Sequence, residues 1–214
     1  MTLIPREFFA RPSVQVAPDL LGCVLEHETA AGLVAVELTE VEAYDGENDP
    51  ASHAYHGKTR RNAVMFGPPG HAYVYFTYGM HFCVNFVCLG NGGASAVLLR
   101  AGAITEGEDL ARARRTRGAA AVAYRDLARG PARLCQALDI DRSLDGADVC
   151  VADSPLRVRW PSARTTDRSA QIKTGPRVGI AAAAEVPWRF WLGGEPSVSP
   201  YRAHVPRQRK LVTP

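Results

Sequence analysis

Glu42 stands two positions before Tyr44, in a chain that also offers a polar loop carrying His53, an aromatic run around Tyr75 and Tyr78, and a cation at Arg100. These residue types have complementary chemistry. A carboxylate can activate a water, aromatic rings can stack a nucleobase, and arginines can hold phosphates. The set suits hydrolysis at a sugar carbon of a nucleotide. If that nucleotide sits in a duplex, it has to leave the helix, and a rigid side chain has to fill the gap it leaves. The aromatic hairpin is expected to carry an exposed ring, Tyr78, at its tip.

Other chemistries fit less well. His53-x-x-His56 lies in the same region as Cys83 and Cys88, but cysteines five apart on a strand point to opposite faces, whereas zinc takes tight ligand pairs. No metal is expected. A G-x-S-x-G elbow is absent, and Gly90-Asn91-Gly92-Gly93 is a turn with no Lys-Ser/Thr after it to make a phosphate loop.

The elements that must position these groups can be read in outline. Ala17 to Gly22 reads as a short helix with Pro18 in its first turn. Cys23–Glu28 and Leu33–Tyr44 read as strands joined at Ala30-Ala31-Gly32. Alternation over Val34, Val36 and Leu38 predicts that Glu40, Glu42 and Tyr44 share their apolar face, where carboxylates are costly unless they have work to do. Residues 45–62 form a long aperiodic loop, of the kind that is usually functional. His71–Cys88 reads as a hairpin turning at Thr77-Tyr78-Gly79-Met80, and Ser95–Ala101 as a strand ending at Arg100. Helices are expected over Gly107 to about Arg117 and over Gly130–Leu138, then short strands near Asp148–Ala152, Leu156–Trp160, Arg177–Ala181 and Trp188–Leu192.

Charge is unevenly laid along the 214 residues. The net charge is only +3, and 22 of the 25 basic residues are Arg. Residues 50–105 contain no carboxylate, where the chain's average frequency would place roughly six. A stretch without negative charge but rich in Tyr, Phe, His and Asn is what a surface facing phosphates and bases requires. A buried sheet core would explain residues 82–99 as well, but not the polar, basic loop 53–62. An Arg, Ala and Gly excess also follows from a GC-rich genome. No apolar run reaches the roughly 18–20 residues of a membrane span, the start lacks a signal peptide's pattern, and the five cysteines are odd in number. The expectation is an intracellular protein with reduced thiols and no membrane association.

Several strings resemble the alkyladenine (3-methyladenine) DNA glycosylase family, in its bacterial form. They are Thr39-Glu40-Val41-Glu42-Ala43-Tyr44, Arg61-Asn62, Met65-Phe66, Tyr73-Val74-Tyr75, Tyr78-Gly79-Met80-His81-Phe82-Cys83-Val84-Asn85, Val97 to Ala101, Gly130 to Leu138 and Arg177-Val178-Gly179. They run in the family's order from about residue 15 to residue 200. The fold expected is α+β, a single compact domain over 1–214 with a curved, mostly antiparallel sheet, a protruding β-hairpin and surrounding helices.

The resemblance implies a monofunctional glycosylase of base excision repair, of the 3-methyladenine DNA glycosylase II type, acting on double-stranded DNA. Its substrates would be alkylated or deaminated purines: 3-methyladenine, 7-methylguanine, hypoxanthine and ethenoadenine. Glu42 would be the general base, with Arg100 and the carbonyl of Val178 holding the attacking water. Tyr44, His53 and Tyr75 would form the pocket, the base lying with Tyr44 and Tyr75 on one side and His53 on the other. Asn85 would crowd the 2-amino group of normal guanine, Tyr78 would intercalate, and Arg61 and His81 would meet the DNA backbone. No cofactor is called for, and a monomer of the bacterial cytoplasm or nucleoid is implied.

The family's E-x-Y-x-G-P segment reads here Glu42-Ala43-Tyr44-Asp45-Gly46-Glu47, and His81 stands where Tyr is usual. Residues 106–129 and 141–170 match poorly, so no DNA contacts carry over there. Two other readings remain: a catalytically silent nucleic-acid-binding module of the same fold, and a different nucleotide enzyme of related shape. An intact Glu42 and Arg100 separate the glycosylase from both.

Overall fold

A computed structural model describes residues 2–77, 79–90, 92–116, 121–161 and 171–205. Its spine is a long strand, β2 (Gly32–Asp45), which pairs along its first half with β1 (Val24–Thr29). On the same edge its second half pairs with β8 (Arg189–Leu192), and along the other edge lies β5 (Gly93–Glu106). With β3 (Ala72–Thr77), β4 (His81–Gly90), β6 (Leu156–Arg159) and β7 (Ile172–Gly175) this makes one antiparallel sheet of order β3-β4-β5-β2-β1-β6, with β7 beside β8. The helices are short: α1 (Arg6–Phe9), α2 (Ser13–Leu20), α3 (Glu108–Arg115) and α4 (Pro131–Leu138). The class is α+β, as expected.

Alternation along β2 does not run through. The register with β5 slips by one residue at Thr39 and slips back at Arg100, so the two strands bulge at the same level, and β5 bulges once more at Thr105. An extra residue inverts the faces beyond it. Val34, Val36 and Leu38 face the main core before the slip, and Val41 and Ala43 face it afterwards. Glu40, Glu42 and Tyr44 therefore lie opposite the core, not on the apolar face that simple alternation predicts. β5 behaves alike, with Val97 and Leu99 in the core and Leu98 and Arg100 on the other side. Arg100 does not end its strand, which continues to Glu106.

Other expectations need correction. The first expected helix begins at Ser13, so Pro18 falls within α2 rather than in its first turn. The Ser13 hydroxyl donates to the Tyr44 carbonyl at 3.0 Å, which ties this helix to the site strand. Asp148–Ala152 is a turn, because the Asp148 side chain accepts from the Cys150 amide and pairs with Arg6. Arg177–Ala181 forms no strand: the Val178 amide donates to a side chain, and Gly179 takes a left-handed φ of +71°. The third helix spans Glu108–Arg115, and Arg117 lies outside the described residues. α1 and β7 had no counterpart in the sequence pattern. The hairpin β3–β4 forms where expected, with Phe76 and Met80 exposed; Tyr78 lies outside the described residues.

Much of the arginine excess serves the fold. Arg114 is buried and donates to the Ala137 carbonyl, Arg115 to the Leu127 carbonyl and Arg129 to the Val198 carbonyl. A forked guanidinium can close several such backbone groups at once. The five cysteines are free thiols, four of them buried. Cys83 lines a cavity while Cys88 packs in the core, as their odd spacing requires. Among the described residues no helix is long and apolar enough to cross a membrane, and no group of three or more His, Cys, Asp or Glu converges as a metal site would.

Candidate active site

Beyond its bulge β2 presents Glu40, Glu42 and Tyr44 on one face, and Arg100 from β5 lies across the first two. Arg100 donates from Nε to Glu40 at 2.8 Å and sets a terminal nitrogen 3.3 Å from Glu42. Both carboxylates are fully buried. An unpaired buried charge is expensive, so the partners decide whether this arrangement is viable. Glu42 receives the Val178 amide on Oε1 at 2.7 Å and the Tyr44 hydroxyl on Oε2 at 2.9 Å. Glu40 receives Arg189 Nε at 2.7 Å, the Ser199 amide at 2.7 Å and the Ser199 hydroxyl at 2.9 Å. Two carboxylates and two guanidiniums thus form a neutral quartet.

These partners set the titration behaviour. Burial would raise the Glu40 carboxyl, but Arg100, Arg189 and the Ser199 donors outweigh it and hold Glu40 below its ordinary value. Burial likewise works against the charge on Arg100, and Glu42 and Glu40 more than offset that. Burial of the Tyr44 hydroxyl, reinforced by the adjacent Glu42 charge, pushes its pKa far up and keeps it a protonated donor.

Above this layer opens a cavity of about 420 Å³. Tyr44, Arg100 and Val178 form its floor over Glu42, Tyr75 and Asn85 come in from the hairpin, and His53 from the long loop. The Tyr44 ring is backed by the guanidinium of Arg177, 4.6 Å from its centroid, and buried Arg177 is itself held in a two-pronged pair with buried Asp49. His53 is held through its carbonyl, which accepts from the Asn62 side chain at 2.8 Å, and through a 3.1 Å hydrogen bond between its ring and the Tyr73 hydroxyl. Desolvation, then the nearby Arg61 charge, lowers the His53 pKa and favours the neutral ring. Asn85 donates to the Tyr73 carbonyl across the strands and keeps its side chain at the cavity wall.

The ring arrangement differs from the expectation in one respect. His53 and Tyr75 touch edge to face, with centroids 4.5 Å apart, so no base fits between them. They make one wall together. Val178 meets Glu42 with its amide. His81 stands exposed at the rim, and Arg61 lies on a neighbouring cleft, its guanidinium 5.8 Å from the Tyr75 ring.

Several members of the site carry no role in the sequence reading. Glu40 is legible as a second carboxylate beside Glu42. Arg189 and Ser199 are not, because only the β2–β8 pairing and the chain after it bring them there. The Arg177–Asp49 pair that supports Tyr44 is likewise a product of long-range folding.

Known proteins share most of this chain's sequence. A family model described as methylpurine-DNA glycosylase (MPG) matches residues 7–196. A protein of Streptomyces avermitilis, provisionally named 3-methyladenine DNA glycosylase, is 56% identical over 211 residues, covering 98% of this chain and 96% of that one. Similar proteins with the same provisional name occur in Leifsonia xyli subsp. xyli, 53% identical over 93% of this chain and 92% of the relative, and in Frankia casuarinae, 48% identical over 90% of both.

Proposed function

Because the chain belongs to the methylpurine-DNA glycosylase family, we propose that it hydrolyses the N-glycosidic bond of damaged purines flipped from double-stranded DNA. The substrates in this reading are 3-methyladenine, 7-methylguanine, hypoxanthine and ethenoadenine. The observation that carries it is the buried Glu42 under the cavity floor, paired with Arg100 and fixed from three sides. A binding module that performed no chemistry would gain nothing from a buried carboxylate beneath its ligand pocket.

In this reading a water oxygen attacks C1′ of the deoxyribose as the bond to the purine nitrogen breaks. The base leaves with the bonding electrons, and the water gives its proton to Glu42, leaving an abasic site. Oε2, whose partner in the free protein is the Tyr44 hydroxyl, is the oxygen assigned to the water. Arg100 and the Val178 carbonyl complete its cradle. The sugar develops oxocarbenium character, and a charged Glu42 stabilises it electrostatically. The chain has three lysines and none near Glu42 in sequence, so a Schiff-base lyase step has no nucleophile and the route is monofunctional.

Tyr44 stacks on one face of the base, and His53 with Tyr75 on the other. Asn85 crowds the 2-amino group of undamaged guanine, which discriminates by clash. Tyr78 fills the gap in the duplex, Arg61 and His81 meet the backbone, and the protein acts as a monomer without a cofactor. A glycosylase assay on a panel of lesion duplexes, run beside Glu42→Gln, tests this. Base release by the unsubstituted protein and none by the variant is expected; turnover retained in Glu42→Gln would overturn the assignment.

A further inference from the structure

The β3–β4 hairpin has two faces, and only one belongs to the cavity. Alternation sends Tyr75, Cys83 and Asn85 forward to the cavity, while Phe76 and Phe82, paired across the strands, face the other way. Their rings lie 5.0 Å apart, and Phe76 is 47% exposed, high for so large an apolar ring. With Arg60, Arg61 and Arg142 they line a rear cleft of about 670 Å³ in which none of the five lining residues is acidic.

The edge of the sheet explains why the arginines stand there. β3 is the edge strand, and its outward backbone groups need partners. Arg142 donates to the Val74 carbonyl at 2.8 Å and Arg61 to the Phe76 carbonyl at 3.5 Å, while the Val74 amide donates to Asp145 at 2.9 Å. Two cations, Arg61 and the Asp145-paired Arg142, are thereby fixed beside two aromatic rings tilted at 50° to each other, and Arg60 lines the same cleft. Aromatic faces next to arginines are the chemistry that holds unpaired nucleotides.

A hairpin that enters a duplex has one strand on each of its faces. The cavity face takes the nucleotide that is flipped, so the rear face meets the strand it was paired with. We propose that the rear cleft receives the strand opposite the lesion, with the three arginines on its phosphates and the Phe76–Phe82 pair against the nucleotide left without a partner. This rests on the glycosylase reading, since it requires a flipped base and a complementary strand.

The test measures the dissociation constant for a hypoxanthine oligonucleotide as duplex and as single strand, for the unsubstituted protein, Phe76→Ala and Arg60→Gln. The duplex-over-single-strand preference falls about tenfold in Phe76→Ala, the scale of one lost base–aromatic contact, and several-fold in Arg60→Gln. The Phe76→Ala loss disappears when the duplex carries an abasic residue opposite the lesion. A preference unchanged in both variants, or an equal loss on single strand and duplex, overturns the proposal. Arg60 is an exposed side chain, so its variant keeps the test valid if Phe76→Ala fails to fold. A protein that releases no base from any duplex overturns the glycosylase reading instead, and a preference that Phe76→Ala still lowers supports the cleft independently.

Discussion

Glu40 and Glu42 share one cation: Arg100 lies 2.8 Å from the first and 3.3 Å from the second. Glu40 also engages Arg189, while Glu42 is met by a backbone amide and a tyrosine hydroxyl. Both guanidiniums meet Glu40 on Oε1 and the Ser199 amide holds its Oε2, whereas Glu42 keeps Oε2 on the Tyr44 hydroxyl. In the proposed reaction that difference leaves Glu40 a structural carboxylate and Glu42 the one whose oxygen can exchange a side-chain hydroxyl for a water.

Glu42→Gln keeps the shape of the site and removes the base. Single-turnover release of hypoxanthine is expected to fall by about 10²–10⁴-fold, the usual worth of a positioned general base. Affinity for the lesion duplex, measured by fluorescence anisotropy, stays within a few-fold of the unsubstituted protein.

Glu40→Gln leaves Arg100 and Arg189 with one buried carboxylate between them. Breaking such a pair from one side costs about 3–5 kcal/mol, to be read by urea unfolding. Replacing Arg189 by Met in the same chain restores neutrality and should recover part of the loss. A double variant no more stable than Glu40→Gln would show that packing, not charge balance, sets the cost.

The same carboxylate shapes the response to acid. Glu40 titrates below its ordinary 4.5 in the folded protein, so the folded state holds its proton less readily than the unfolded chain. Its contribution is present in full above about pH 4.5 and drains away as pH falls below that value. The acid limb of stability against pH should be shallower in Glu40→Gln than in the unsubstituted protein.

Tyr44 offers two functions that a pair of variants can split. Tyr44→Phe keeps the ring over Arg177 and loses the hydroxyl on Glu42, so lesion binding is expected within about threefold. Tyr44→Ala loses the stacking face, and binding should weaken by about 1–3 kcal/mol, or tenfold and more. Equal losses in both would assign the binding role to the hydroxyl.

Asn85→Ala opens the cavity wall where a 2-amino group would clash. Release of undamaged guanine from a control duplex is expected to rise roughly tenfold, in line with the modest discrimination available from one steric contact. No rise would place guanine exclusion elsewhere.

The strand signals of residues 24–44 and 72–101, the Pro131 start of α4 and the turn of the hairpin were all legible from periodicity and turn residues, because these depend on neighbours a few positions apart. Glu42, Tyr44, His53, Tyr75, Asn85 and Arg100 could be singled out as chemical types and by resemblance, since long strings preserve them in order. Short strands were less secure: the Cys150 amide donates to the Asp148 side chain and the Val178 amide to the Glu42 side chain, a competition that residue patterns do not reveal.

What the sequence by itself determined was the composition of the site and an acid-free stretch suited to phosphate. What only the tertiary structure decided was its facing. One extra residue at Thr39, answered by one at Arg100, turns β2 and β5 over, so that Glu40, Glu42 and Tyr44 lie opposite the core, with Tyr44 lining the cavity and the two carboxylates buried behind it. Alternation cannot foresee that inversion, because a bulge is settled by how two strands pair across the sheet and not by the residues along either one. The quartet that stabilises the buried charges is of the same kind: Arg189 and Ser199 reach Glu40 only after β8 has docked on β2.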